Sequence, residues 1–264
     1  MRDVGLDEAI RAGGGVSALA RKIGISQPSV SSWPRVPAER VLAVEAATGI
    51  DRAILRPDLY VQPTVAAAEV DEVDEVDAAR AREYALLSML LARAPAGDLL
   101  RRLALIEGDA SPLGIAHAAL AEAARSASEE RVAREFFDLF IGLGRGECLP
   151  YGSYYLTGFL HERPLARLRQ DLARLQIERA PGQAEPEDHA AILCEIMAAL
   201  AGRTLPAPPG AERALFEAHL ATWMARFFAD LERAPAAVFY RDVGMLGQVF
   251  MQIECEAFAR SAES

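Results

Sequence analysis

Long apolar runs are missing from this sequence of 264 residues. No stretch approaches the roughly 20 apolar residues that a membrane-spanning helix requires, and the N-terminus lacks the charged-then-apolar pattern of a signal peptide. The expectation is therefore a cytoplasmic protein with no membrane insertion. Cysteine is scarce as well: Cys148, Cys194 and Cys255 are widely spaced and odd in number, which fits neither a disulfide framework nor a zinc site. The four histidines, His117, His161, His189 and His219, show no paired metal-ligand spacing. β-branched runs are few, while alanine, leucine, arginine and glutamate dominate, a balance that favours helices. Positive charge is outnumbered, 28 Lys and Arg against 38 Asp and Glu, and a net charge of −10 argues against the whole chain being a general nucleic-acid binder. Catalytic pairings are lacking too. Neither Ser153 nor any cysteine has an adjacent base, and the glycines Gly142, Gly144 and Gly146 are not followed by the Lys-Ser/Thr of a phosphate loop. Neither an enzyme nor a cofactor is expected.

What the chain does have is core material, with 52% hydrophobic residues, enough for one large domain or for a medium and a small one. Near the N-terminus, Leu6–Ala12 reads as a short helix stopped by Gly13, Gly14 and Gly15. Next, Leu19 and Ile23 share one helical face, Ala20 is small enough for close approach, and Gly24 supplies a left-handed stop. Ser26 is placed to cap a following helix with Pro28 in its first turn, and Val30 and Trp33 turn back onto the first. This is a helix-turn-helix pattern. Residues 21–40 carry four basic side chains against one acidic, a small local patch.

Pro57 and Pro63 close this unit, and residues 69–77 read Glu-Val-Asp three times, with six acids and no base. Like charges repel and the triplet builds no apolar face, so 61–78 reads as an acidic linker or a fraying helix start. From Ala78 onward helical periodicity is nearly continuous. Ser111-Pro112 opens one helix, Ser126 and Glu129 have capping-box spacing ahead of the next, and Pro164 opens another. Ala211–Ala234 reads as one long helix, and a last one runs from near Pro235 to about Arg260. The fold class is all-α: residues 1–60 as the helix-turn-helix domain, 79–264 as a larger helical bundle.

Two motifs and a loop stand out in the larger part. Phe136, Leu139 and Phe140 form an aromatic-x-x-Leu-Phe pattern; Leu149-Pro150-Tyr151-Gly152-Ser153-Tyr154-Tyr155-Leu156 is a proline-aromatic-Gly-Ser loop; and Glu185-Pro186-Glu187-Asp188-His189 is a Glu-Pro-x-Asp-His pattern. Residues 79–264 thereby resemble the TorD/DmsD family of cytoplasmic molybdoenzyme chaperones. The N-terminal stretch is similar to small Cro/YdaS-type helix-turn-helix domains, although members of the chaperone family are usually a single domain.

The first resemblance implies binding of a twin-arginine leader peptide and of the apo-molybdoenzyme that carries it, for example a formate dehydrogenase, before cofactor insertion and export. The residues it points to are Tyr151, Gly152, Ser153, Tyr154, Leu156, Glu185, Asp188 and His189. Carboxylates can take guanidinium groups through charge-assisted bonds, and aromatic faces can take an arginine or an apolar segment. His189, near its unperturbed range, would tune the site by protonation between roughly pH 6 and 7. Phe136, Leu139 and Phe140 share one helical face and read as core, and Glu187 reads as a charge at a helix N-terminus. The second resemblance implies that residues 16–35 contact operator DNA through Gln27, Ser29, Ser31, Ser32 and Arg35, with Gln27 reading an adenine edge. The alternative function is thus a transcription regulator whose C-terminal domain senses a peptide. Either a monomer or a homodimer is compatible with the sequence.

Overall fold

The structure is a computed structural model that describes residues 3–57, 74–179, 182 and 184–260. The chain divides into two compact units, Met1–Glu72 and Val73–Ser264. Among the described residues every regular element is helical, and the one β contact is an isolated antiparallel bridge between Tyr151 and His189.

The smaller unit contains α1 (Val4–Gly13), α2 (Val16–Lys22), α3 (Gln27–Ser31), α4 (Val41–Thr48) and α5 (Arg52–Leu55). Asp3 caps α1 by accepting the Gly5 and Leu6 N–H groups, and Gly14 ends it in the left-handed region. Leu6, Leu19, Val30, Val41 and Leu55 bury themselves in a separate small core. Gly5 has a steric reason: a Cβ there would lie 2.5 Å from the Ile54 carbonyl oxygen. Ser26 holds the N-cap position of α3 but makes no side-chain cap bond; its hydroxyl pairs with that of Ser29 at 2.7 Å instead.

The larger unit begins with α6 (Glu75–Ala92), capped by Asp74, so the last part of the expected linker is helix and Glu75 and Asp77 lie in its first turn. The rest of that linker, through residue 73, lies outside the described residues. Then follow α7 (Gly97–Leu103), α8 (Pro112–Ser126) and α9 (Glu129–Phe136). Ser111 caps α8 as its Ser-Pro start predicts. The capping box is not where the spacing put it: Ser126 is the last residue of α8, Ser128 caps α9, and Glu129 reaches across to the Gly97 N–H at 2.8 Å. After Phe136 the chain widens into one π-type turn, in which the Gly142 N–H reaches back five residues to the Phe137 carbonyl. Leu139 is fully buried there, while Phe136 and Phe140 pack against the Tyr240 ring.

The remaining helices are α10 (Gly152–Thr157), α11 (Arg163–Arg174), α12 (Ala190–Ala201), α13 (Ala211–His219), α14 (Met224–Arg233) and α15 (Phe239–Arg260). The expected single helix Ala211–Ala234 is therefore two. The Trp223 indole N–H donates to the His219 carbonyl at 2.6 Å, and the ring is buried where a continuous helix would have carried it along one face. The last helix starts four residues later than expected because its N-terminus is capped from a distance. Buried Glu135 accepts the N–H groups of Val238, Phe239 and Tyr240.

The main core lies among α6, α8, α12, α14 and α15 and buries Tyr84, Phe227, Phe228, Tyr240 and Phe250. Gly247 lets α14 and α15 meet closely, since a Cβ there would lie 2.2 Å from the Phe228 ring. Arg80 of α6 ties the ends together: it bonds fully buried Glu254 of α15 at 2.7 Å and Glu212 of α13 at 2.5 Å. Burial alone would lower the pKa of Arg80, but the two carboxylates outweigh it and the guanidinium is held charged.

Candidate functional site

The loop before α10 and the segment before α12 are some 35 residues apart in sequence and lie side by side. The Gly152 N–H donates to the Asp188 carbonyl at 3.0 Å, and the Ala190 N–H donates to the Pro150 carbonyl at 2.8 Å. These bonds frame the Tyr151–His189 bridge. Within the clasp, Asp188 Oδ2 accepts the Ser153 N–H at 2.7 Å and so caps α10 from outside its own segment. His189 is the N-cap of α12, its Nδ1 accepting the Ala191 N–H at 3.1 Å. Gly152 lets α10 approach Trp223 closely, since a Cβ there would lie 3.0 Å from the indole nitrogen and the ring would have to give way.

Asp188 and His189 are only 3% and 7% exposed. Burial pushes the imidazole down to about 4, against the opposing charges of Glu185 and Asp188. His189 is therefore neutral across pH 6 to 7, and the expected tuning by protonation in that range is corrected: the ring is too desolvated to charge there. Glu187 is also placed differently. It precedes α12 by three residues and pairs with Arg169 of α11 at 2.8 Å. Burial disfavours its charged form, but the guanidinium prevails and lowers its pKa.

Outward from this scaffold stands Tyr151. Its ring meets the His189 ring edge-on at 5.1 Å, and its hydroxyl donates to Glu185 Oε2 at 2.5 Å. Burial first, and then the Glu185 carboxylate, raise the Tyr151 pKa, so the phenol keeps its proton. Beside the clasp opens a cavity of about 450 Å³ lined by Gly152, Leu156, Leu168, Asp188, His219 and Trp223. Asp171 closes one wall, with one oxygen on His219 Nε2 at 2.8 Å and the other on Arg174. Among the described residues the buried Asp188 Oδ1 and Ser153 Oγ have no hydrogen-bond partner. Past Leu156 the surface is apolar: Phe159 is 70% exposed and Leu160 41%.

Tyr154 does not join this group. It turns to a second cavity, where its ring and hydroxyl meet Arg145. The eight residues singled out from sequence thus separate into a hydrogen-bonded pair of half-buried Tyr151 and exposed Glu185, a buried frame (Gly152, Ser153, Asp188, His189), the cavity wall at Leu156, and Tyr154 elsewhere. Trp223 and the Asp171–His219 pair, which shape the cavity, were not foreseen as part of it. The four-residue spacing of His219 and Trp223 read as a helix interface. Among the described residues no group of three or more His, Cys, Asp or Glu side chains could hold a metal ion.

Residues 107–229, which include this whole site, match the family model of the nitrate reductase delta subunit. The larger unit is TorD-like. "Chaperone protein TorD" of Shewanella loihica is 27% identical over 202 residues, covering 68% of this chain and 92% of that protein. TorD of Vibrio cholerae is 28% identical over 137 residues, 48% of this chain and 62% of its own length. A solved structure titled a putative redox enzyme maturation protein, from Archaeoglobus fulgidus, superposes with a TM-score of 0.47 at 19% identity, covering 66% of this chain and 93% of that one. Residues 6–64 match the family model of the bacterial toxin YdaS, so the chain joins a YdaS-like unit to a TorD-like one.

In the YdaS-like unit, Gln27, Ser31, Ser32 and Arg35 are exposed and Ser29 is half-buried. Gln27 Nε2 donates to the Ser31 hydroxyl at 2.7 Å, and the Ser32 hydroxyl donates to the Ser29 carbonyl at 2.8 Å. Several of these groups thus satisfy one another along α3. No helix among the described residues is long and apolar enough to cross a membrane.

Proposed function

We propose that the TorD-like unit is a cytoplasmic redox-enzyme maturation chaperone. It binds the twin-arginine leader and apo form of a molybdenum-cofactor oxidoreductase, a formate dehydrogenase being one candidate, before cofactor insertion and export. The observation that carries this reading is the pair of half-buried Tyr151 and exposed Glu185, held on a hydrogen-bonded clasp beside an open cavity and an apolar surface. Glu185 has one oxygen committed to Tyr151, and among the described residues its other oxygen takes no hydrogen bond, so it can accept a guanidinium through a charge-assisted bond. The Tyr151 ring offers a face for a second arginine. Leu156, Phe159 and Leu160 suit the apolar segment that follows the arginines in such a leader. Asp188 and His189 act through the frame they hold, so they are positioning residues, and no bond is made or broken.

The test is a calorimetric titration of the full chain with a synthetic peptide of adjacent arginines followed by an apolar segment. Tyr151→Ala and Glu185→Gln are each expected to weaken binding about tenfold, near 1.4 kcal/mol. Unchanged affinity in both variants, with unchanged thermal melting, would rule the site out.

A second reading is favoured by the exposed helix-turn-helix side chains: the chain also binds operator DNA and reports client occupancy to transcription. Gel-shift of the full chain against its upstream DNA at about 150 mM salt tests it, since backbone charge alone binds weakly there. Loss of a specific shift in Gln27→Ala/Arg35→Ala supports the regulator; no specific shift with the unaltered chain refutes it.

A further inference from the structure

The second cavity, of about 450 Å³, lies between the glycine-rich loop, α10 and α14. Three arginines line it: Arg145 from the loop, and Arg226 and Arg233 from α14. Among the described residues none of the three has an ion-pair partner. Arg145 stacks on the Tyr154 ring at 4.9 Å and donates to its hydroxyl, while Arg226 stacks on the Tyr155 ring at 4.9 Å and donates to the Tyr155 carbonyl. The two acids that line the cavity are each occupied by a neutral donor. Asp230 Oδ2 accepts the Tyr155 hydroxyl at 3.0 Å, and Glu147 Oε2 accepts the Ala236 N–H at 3.1 Å. Three positive charges against two negative leave the cavity net positive in a chain whose overall charge is −10.

We propose that this cavity is a binding site for a phosphate ester whose organic part carries a flat ring. Guanidinium groups match phosphate oxygens two at a time, and three of them can surround one dianionic group. The volume is within the usual range for small-ligand sites, about 300–1,000 Å³. Tyr154 and Tyr155 already hold their rings against the arginines, so a ligand ring entering beside them meets aromatic surface. The glycine-rich loop contributes through Arg145: Gly142 and Gly144 both take positive φ, and the turn they make delivers that side chain to the tyrosine. No backbone cradle of the phosphate-loop kind is needed. The site is separate from the Tyr151–Glu185 pair and does not depend on a peptide binding there.

Titration of the full chain with phenyl phosphate, and in parallel with inorganic phosphate, tests the assignment by calorimetry at moderate salt. Phenyl phosphate is expected to bind saturably and more tightly than inorganic phosphate. Arg226→Gln/Arg233→Gln should weaken phenyl phosphate by about tenfold or more. Both side chains are exposed, so circular dichroism should show the variant folded; should it melt early, Arg233→Gln alone carries the comparison. Absence of saturable binding, or equal affinity in wild type and variant, overturns the site. Inorganic phosphate binding as tightly as phenyl phosphate overturns the role given to the rings.

Discussion

Acid should unfold the TorD-like unit partly through one imidazole. His189 binds its proton only near pH 4 in the folded state, because burial desolvates it, against 6.5 for a free side chain. Between those values the unfolded chain holds the proton and the folded one does not, so protons favour unfolding. Stability from this group is complete above about pH 6.5 and falls as pH drops towards about 4, a total near 3 kcal/mol at about 1.4 per unit. From about pH 7 to about pH 5 the loss is roughly 2 kcal/mol. Carboxylates contribute to acid unfolding as well, so the comparison needs a non-titrating cap. His189→Asn supplies one, since asparagine is a strong N-cap residue. Urea unfolding followed by circular dichroism should show wild type losing about 2 kcal/mol more than the variant over that pH interval. Equal losses, or an imidazole NMR titration midpoint near 6.5, would refute the reasoning.

Two further substitutions test the packing that holds the site's helices. Glu135→Ala leaves the N–H groups of Val238, Phe239 and Tyr240 without their acceptor in a buried setting; we expect a loss of about 2–4 kcal/mol in urea unfolding, with faster amide exchange at the start of α15. Arg80→Met strands Glu254, which is fully buried and left with only the Tyr84 hydroxyl. The expected cost is about 3–5 kcal/mol, and Arg80→Met/Glu254→Leu should recover most of it.

The helical class was legible because the signals are local. Ser111-Pro112 fixes where α8 starts, and Gly24, at φ 71°, ends α2 as a left-handed stop. What escaped depends on distant partners. The serine that caps α9 is Ser128, because Glu129 is taken by Gly97, and spacing alone cannot tell Ser126 from Ser128. Continuous apolar periodicity hid the break at Trp223, whose indole finds a carbonyl acceptor and a buried seat against Gly152. At the candidate site, Glu185 to His189 read as one acidic cluster. Tertiary burial divides it, sending Asp188 and His189 inward as caps and leaving Glu185 out with Tyr151. The tyrosines separate for a related reason. Tyr151 is the extended N-cap residue of α10 and meets Glu185 across the clasp, while Tyr154 lies within the helix and meets Arg145.

The central claim is that Glu185 receives an arginine of a client leader, and a double-mutant cycle tests it most directly. Affinities are measured for wild type and Glu185→Gln, each against a peptide with adjacent arginines and one with both replaced by glutamine. A direct contact predicts a coupling energy of about 1 kcal/mol or more between the two changes. Additive effects, within about 0.3–0.5 kcal/mol, would contradict it.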